Sequence, residues 1–311
     1  MRRSEAGEVL LGLDPSREVA GTRIGFAQVE RALPGSRMER GPPGPLLAAR
    51  ADSEVRAPIQ RAVPVETAIQ IVYDPVPYAV MMATPEDFED FATGFSVTEG
   101  VIDTARDIKS IRVEREDKGL RLVIQLASDT LTRHLGRSRA MAGRTGCGLC
   151  GIDDLRHLPE GAVRDRSGPA ITAQAIARAL HNLEQLQPLN AATRAVHAAG
   201  FADLQGNIHV AREDVGRHNA LDKMIGAALR LGYPAQAGFV VVTSRCSFEM
   251  VEKAAIFGAR AIVAISAPTS LAIERAQHHG MGLMALARPD SGVVFAGQEM
   301  FSTETQDEHH A

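Results

Sequence analysis

The chain has 311 residues, 45% apolar and 23% charged, with 34 basic against 38 acidic side chains and a formal net charge of −4. That balance excludes a nucleic-acid binder held by bulk positive charge, and three cysteines exclude a disulfide framework. The length suits about two domains with self-sufficient cores, and no apolar run reaches the roughly 18 residues of a membrane span.

In chain order, Met1-Arg2-Arg3-Ser4 carries no apolar h-region of a secretory signal, so a reducing cytoplasm is the expected compartment. Residues 1–56 read as a mobile extension rich in Gly, Pro and Arg, because Gly41-Pro42-Pro43-Gly44-Pro45 holds neither a helix nor a central strand. Residues 57–139 read as a small α+β domain. Residues 67–73 and 77–82 are two strands joined at Asp74-Pro75. Thr84 and Pro85 look like the cap and first position of a helix whose stripe is Phe88, Phe91, Ala92 and Phe95, ended by Gly100. Residues 108–114 and 120–126 form a hairpin around Asp117-Lys118-Gly119.

Residues 140–170 are a glycine-rich loop and linker, and residues 171–302 alternate helix and strand. A helix spans 172–185, a strand pair turns at Gly206-Asn207, and Asp214 caps a helix to about Leu231. The apolar runs 239–243, 261–265 and 282–286 are strands, separated by helices over 247–257 and from Pro268 to Gln277. Such alternation implies a mostly parallel sheet with crossover helices. Residues 303–311 read as a frayed tail.

Three features carry chemistry. The first is Cys147-Gly148-Leu149-Cys150, two thiols with Arg144 upstream to favour a thiolate and glycines at 143, 146, 148 and 151 that let a large partner approach. Three readings compete: a structural zinc, which lacks a second CxxC; a thioredoxin-like redox site, which lacks a preceding strand; and a sulfur-handling loop. The second is Arg212 to Lys223, where Arg217 and His218 at a helix start suit phosphate, and where a solvated start capped by Asp214 explains the residues equally well. The third is the set of strand ends Ser244-Arg245 with Ser247, Ser266 to Ser270 with Thr269, and Arg288-Pro289. In an open parallel sheet the ligand crevice lies beyond the carboxyl ends of the strands, and these residues describe a nucleotide pocket without a Walker loop or a G-x-G-x-x-G turn. His197 suits either the same crevice or the core, and His278 and His279 need no role beyond offsetting a helix dipole.

At these residues the chain resembles the FdhD family, the sulfur carrier proteins of formate dehydrogenase. The resemblance is carried by residues 143–151, Glu213 to Lys223, Thr243-Ser244-Arg245 with Ser247 to Met250, and Ser266 to Ala272. Met81 to Pro85 and Gly94 to Gly100 also fit, so that the likeness runs over about residues 60–290. It implies a cytidine-deaminase-like α/β/α C-terminal domain and a homodimer. It implies a sulfurtransferase that takes persulfide sulfur from a cysteine desulfurase and passes it to the molybdenum or tungsten bis-guanine-dinucleotide cofactor of the formate dehydrogenase catalytic subunit. Cys147 falls on the family's persulfide carrier and Cys150 on its assisting thiol. The family's cofactor-binding segment falls on Leu286, Ala287, Arg288, Pro289, Asp290 and Ser291. The expected cofactor contacts also include Arg144, Thr145, Gly146, Asp214, Arg217, His218, Ser244, Arg245, Ser247 and Thr269, with GDP or GMP as partial mimics. No structural metal, nucleic acid or membrane is expected. Deaminase chemistry is not expected, because His218-Asn219-Ala220 lacks the glutamate of a zinc deaminase. Cys246 reads as an incidental buried thiol. The main rival is a non-catalytic chaperone that binds the molybdenum cofactor without moving sulfur; a redox or metal-binding regulator is the second.

Overall fold

The computed structural model describes residues 14–24, 56–127, 161 and 163–303. β1 (Ser16–Ile24) pairs antiparallel with β2 (Arg56–Pro64) in unbroken register from Ser16↔Pro64 to Ile24↔Arg56. This corrects part of the expectation for residues 1–56: the partner strand lies more than 30 residues on, beyond the Gly/Pro stretch that dominated the local reading.

The N-terminal unit is a four-stranded sheet of β3 (Thr67–Tyr73), β4 (Val76–Ala83), β5 (Ile108–Glu116) and β6 (Gly119–Leu126), in the order β4-β3-β6-β5. Two antiparallel hairpins join through the parallel pair β3 and β6. α1 (Phe88–Thr98) lies on one face, and Phe91, Ala92 and Phe95 pack on Ile69, Ile71, Tyr73, Leu122 and Ile124. The i, i+3, i+4, i+7 spacing thus predicts the buried stripe correctly. The start of the helix differs. Thr84 is not its cap; Asp87 is, in left-handed conformation at φ 54°. Thr84 is instead buried against the C-terminal unit, its amide donating to Asp214 Oδ2 at 3.0 Å.

The C-terminal unit begins with β7 (Ile171–Thr172), α2 (Ala173–Gln185) and the short α3 (Pro188–Thr193). The hairpin β8 (His197–Asp203) and β9 (Ile208–Asp214) follows, then α4 (Arg217–Leu231). β10 (Gly238–Val242), α5 (Phe248–Phe257), β11 (Ala261–Ala264), α6 (Ser270–His278) and β12 (Gly282–Arg288) alternate as expected. β13 (Ser291–Ala296) then turns back, and β14 (Phe301–Ser302) pairs with β7. The main sheet runs β13-β12-β11-β10-β8-β9. Only β10, β11 and β12 are mutually parallel; antiparallel hairpins close both sides.

Successive side chains of a strand point to opposite faces. Val240 and Val242 therefore meet Leu221, Met224 and Val251 of α4 and α5, whereas Phe239 and Val241 meet Ile176, Ala179 and Leu183 of α2. The result is helix, sheet, helix, with β10 buried on both faces.

The two units meet where α1 crosses α4. A Cβ on Gly94 would sit 1.8 Å from the Asp222 carbonyl oxygen, and one on Gly226 would sit 1.9 Å from the Asp90 carbonyl oxygen. Backbone touches backbone at this crossing. Gly226→Ala must push the helices apart, and we expect a loss at or above the upper end of the ~1–3 kcal/mol typical of overpacking, read as a lower thermal midpoint.

Candidate functional site

The carboxyl ends of β10, β11 and β12 share one edge of the sheet with the start of β8 and the end of β9, since Val242 pairs with Ala199 and with Ala264, and His197 pairs with Asp214. The turns after β10 and β11 run side by side there: Cys246 N donates to Ala267 O and Thr269 N to Cys246 O. Cys246 itself is fully buried, and burial pushes its thiol up to about 12, so it is an inert packing residue.

Above this edge, against α2 and α3, lies a cavity of about 410 Å³. Gln187, Asn190, His197, Thr243 and Ile265 line it, and Ala287, Arg288 and Pro289 close it. Arg288 is braced by Nη1, which donates to the carbonyls of Ile265 at 2.7 Å and Ala287 at 2.8 Å; its Nη2 and Nε make no hydrogen bond among the described residues. Leu286 enters this turn at φ 54°, unusual for a residue with a side chain, and its amide donates to Ser266 O. On the other side of Arg288 and Pro289 a second hollow of about 390 Å³ takes in Asp290, Ser291, Met284 and Phe301. Arg288 and Pro289 therefore stand between two cavities.

Three further cationic or ionisable groups gather at the edge. Arg217 stands at the first position of α4, with its Nε buried and unpartnered among the described residues. Arg245 is exposed on the β10–α5 turn. His197 is half-buried, and its imidazole makes no hydrogen bond among the described residues. Burial first, then the charges of Arg217 and Arg245, hold His197 below its ordinary value, against an opposing pull from Asp214. Beside Arg217, the Ser247 hydroxyl is likewise buried and unpartnered among the described residues, and His218 lies 4.0 Å from Glu249. Ser244 is buried and donates to Arg245 O, while Thr269 caps α6 by accepting from the Ala272 amide. Pro268 precedes that cap rather than opening the helix.

The motif Glu213 to Lys223 divides into two jobs. Glu213 accepts from the Leu189 amide at 2.9 Å and the Asn190 amide at 2.8 Å, so it caps α3 and holds the cavity wall. Asp214 neither caps α4, whose cap is Gly216, nor faces the crevice. It is fully buried, 2.7 Å from the equally buried Lys223 Nζ, and accepts from Thr84 N, Gly216 N and Asn219 Nδ2. Asn219 also donates to Met82 O, and Lys223 to Thr84 O. One turn on, Asp222 pairs with Lys253 at 2.9 Å and accepts from Thr98 at 2.7 Å. Arg212 and Arg230 both grip Asp90 of α1. Most of the charge in this motif therefore stitches the two units together, whereas Arg217 stands at the start of α4 and His218 beside Glu249 of α5, both within the C-terminal unit.

A buried carboxylate at another place escaped sequence reasoning. Glu252 of α5 accepts from the Gly161 amide at 2.8 Å and meets His279 Nε2 at 2.9 Å and Arg275. Arg166 donates to the carbonyls of Ala259 and His279. His279 is thus a buried partner, not simply a charge at a helix end. Its neighbour in sequence, an exposed His, offered no local clue to that difference.

Arg144, Thr145, Gly146, Cys147 and Cys150 lie outside the described residues. Among the described residues no cluster of three or more His, Cys, Asp or Glu suits a metal ion, and no helix is long and apolar enough to cross a membrane.

Residues 64–302 match the FdhD/NarQ family. The sulfur carrier protein FdhD of Xanthomonas axonopodis pv. citri (strain 306) is 47% identical over 240 residues, covering 77% of this chain and 85% of that protein. The sulfur carrier protein FdhD of Variovorax paradoxus (strain S110) is 41% identical over 233 residues, 75% of this chain and 84% of that one. In fold, the chain is similar to a crystal structure of a Desulfotalea psychrophila protein assigned as a formate dehydrogenase accessory protein. The TM-score is 0.67 at 24% identity, over 93% of this chain and all of the other.

Proposed function

The chain belongs to the FdhD/NarQ family, and from that premise we propose that it is a sulfur carrier for formate dehydrogenase. Its sulfur comes from a cysteine desulfurase. The Cys147 thiolate attacks the outer sulfur of the desulfurase persulfide; the S–S bond there breaks, the desulfurase cysteine leaves as thiolate, and Cys147 holds the persulfide. Cys150 serves as the resolving or relaying thiol. The recipient is the molybdenum or tungsten bis-guanine-dinucleotide cofactor, which the chain binds as a substrate. Function in the cytoplasm as a homodimer belongs to the same reading.

The observation that carries the binding half is the crevice itself. His197 and Arg288 line a cavity at the carboxyl ends of parallel strands, Arg217 and Arg245 act electrostatically on His197 from the same edge of the sheet, and no acidic partner is bound to any of the three guanidinium groups among the described residues. Such cations suit a diphosphate, and a sheet edge of this kind is where α/β proteins hold nucleotides. The strand order, with its three parallel strands between hairpins, supports a cytidine-deaminase-like reading of the unit, though not deaminase chemistry.

Calorimetric titration with GDP tests the placement. Arg217→Ala and Arg288→Ala should each weaken binding by more than about tenfold, because each removes a charge-assisted bond. Unchanged affinity in both would sink the crevice as the nucleotide site.

A further inference from the structure

We propose that His197 contacts the diphosphate of the bound nucleotide, and that binding draws one proton from solvent onto its imidazole. This rests on the reading of the crevice as the nucleotide site and goes beyond it by making occupancy depend on pH.

The geometry carries the argument. His197 is the first residue of β8, on the cavity wall that also holds Thr243 and Arg288. Its ring is half-buried and makes no hydrogen bond among the described residues, so both nitrogens are available to a ligand. The charged and titratable groups around it are His181 and Glu184 of α2, Asp214 at the end of β9, Arg217 of α4, Arg245 of the β10–α5 turn and Arg288 of β12. Asp214 is already engaged by Lys223 and its amide donors, and its pull on His197 opposes the larger effect of Arg217.

Burial first, then the charge of Arg217, hold the free imidazole below its ordinary value. A diphosphate adds negative charge beside the ring and so raises the imidazole's affinity for a proton. The sign of the linkage follows: affinity rises as pH falls through the bound-state value, levels off below the free-state value, and is weakest above both. Within that window the dissociation constant changes by at most about tenfold per pH unit, the limit for one proton.

GDP titrations at about pH 7 in two buffers of different ionisation heat count the proton directly. Wild type should take up a substantial fraction of one proton more than His197→Gln; the difference cancels any proton from GDP's own terminal phosphate. His197→Gln should still bind GDP, with a flatter pH profile between pH 6 and 8.5. Guanosine, which lacks phosphate, should show no extra uptake in wild type. Equal proton counts for wild type and His197→Gln, with GDP bound by both, would overturn the proposal and leave the nucleotide site standing. Guanosine matching GDP would overturn the phosphate contact. Failure of wild type to bind GDP at all would instead remove the crevice reading on which the proposal rests.

Discussion

Replacing Cys147 with Ala should bring formate dehydrogenase activity to background when the two proteins are produced together, a loss of at least about a hundredfold, because Cys147 is the proposed carrier and a methyl group cannot take up and release sulfane sulfur as a thiolate does. The affinity for GDP should change less than about twofold, since the proposed nucleotide contacts come from Arg217, Arg245, Arg288 and His197. Cys246 offers no rescue: it is wholly buried, and its thiol is held near 12, so it supplies almost no thiolate at neutral pH. Cys150→Ala separates a relay from a bystander. A relay predicts loss of formate dehydrogenase activity with persulfide still formed on Cys147.

Asp214→Ala should cost about 3–5 kcal/mol of stability, the range for removing one partner of a buried ion pair. Lys223, whose side chain is 0% exposed, would lose the carboxylate 2.7 Å from its Nζ. The amides of Thr84 and Gly216 and the side chain of Asn219 would lose their acceptor at the same time. Urea unfolding measures the loss as a fall in midpoint at unchanged slope. The double change Asp214→Leu with Lys223→Met should cost less than the two single changes added, because it strands no charge. A ligand-binding Asp214 would behave differently: weaker GDP binding with stability intact.

The places where sequence and structure part have a common physical cause. The apolar runs at 239–243, 261–265 and 282–286 are legible because a strand covered on both faces must be apolar throughout. The α1 stripe is legible because one helix face meets one sheet. Thr84-Pro85 has the local form of a helix start, yet its amide is recruited by Asp214, 130 residues away, and the helix waits until Phe88. Asp214 likewise has the form of a cap, and only the approach of Lys223 and Thr84 shows it to be a joint between units. Glu213 looks like surface charge until α3 arrives over it, and α3 has just six residues, too few for a periodic signal. β13 carries a plain Val-Val-Phe run after the Pro289-Asp290 turn, too short an apolar stretch to show a strand's alternation. The crevice is legible as a set of strand ends. The bracing of Arg288 by backbone carbonyls, the unpartnered Nε of Arg217 among the described residues and the place of His197 on the cavity wall are three-dimensional facts with no local signature.

Intact-protein mass spectrometry tests the central claim most directly. The protein is incubated with a cysteine desulfurase, pyridoxal phosphate and cysteine, then compared with Cys147→Ala treated in the same way. The account predicts a gain of about 32 Da in wild type, reversed by reductant and absent from Cys147→Ala, as expected for one sulfane sulfur on that thiol. No gain in wild type, with GDP still bound, would contradict sulfur carriage and leave a protein that binds the cofactor without moving sulfur.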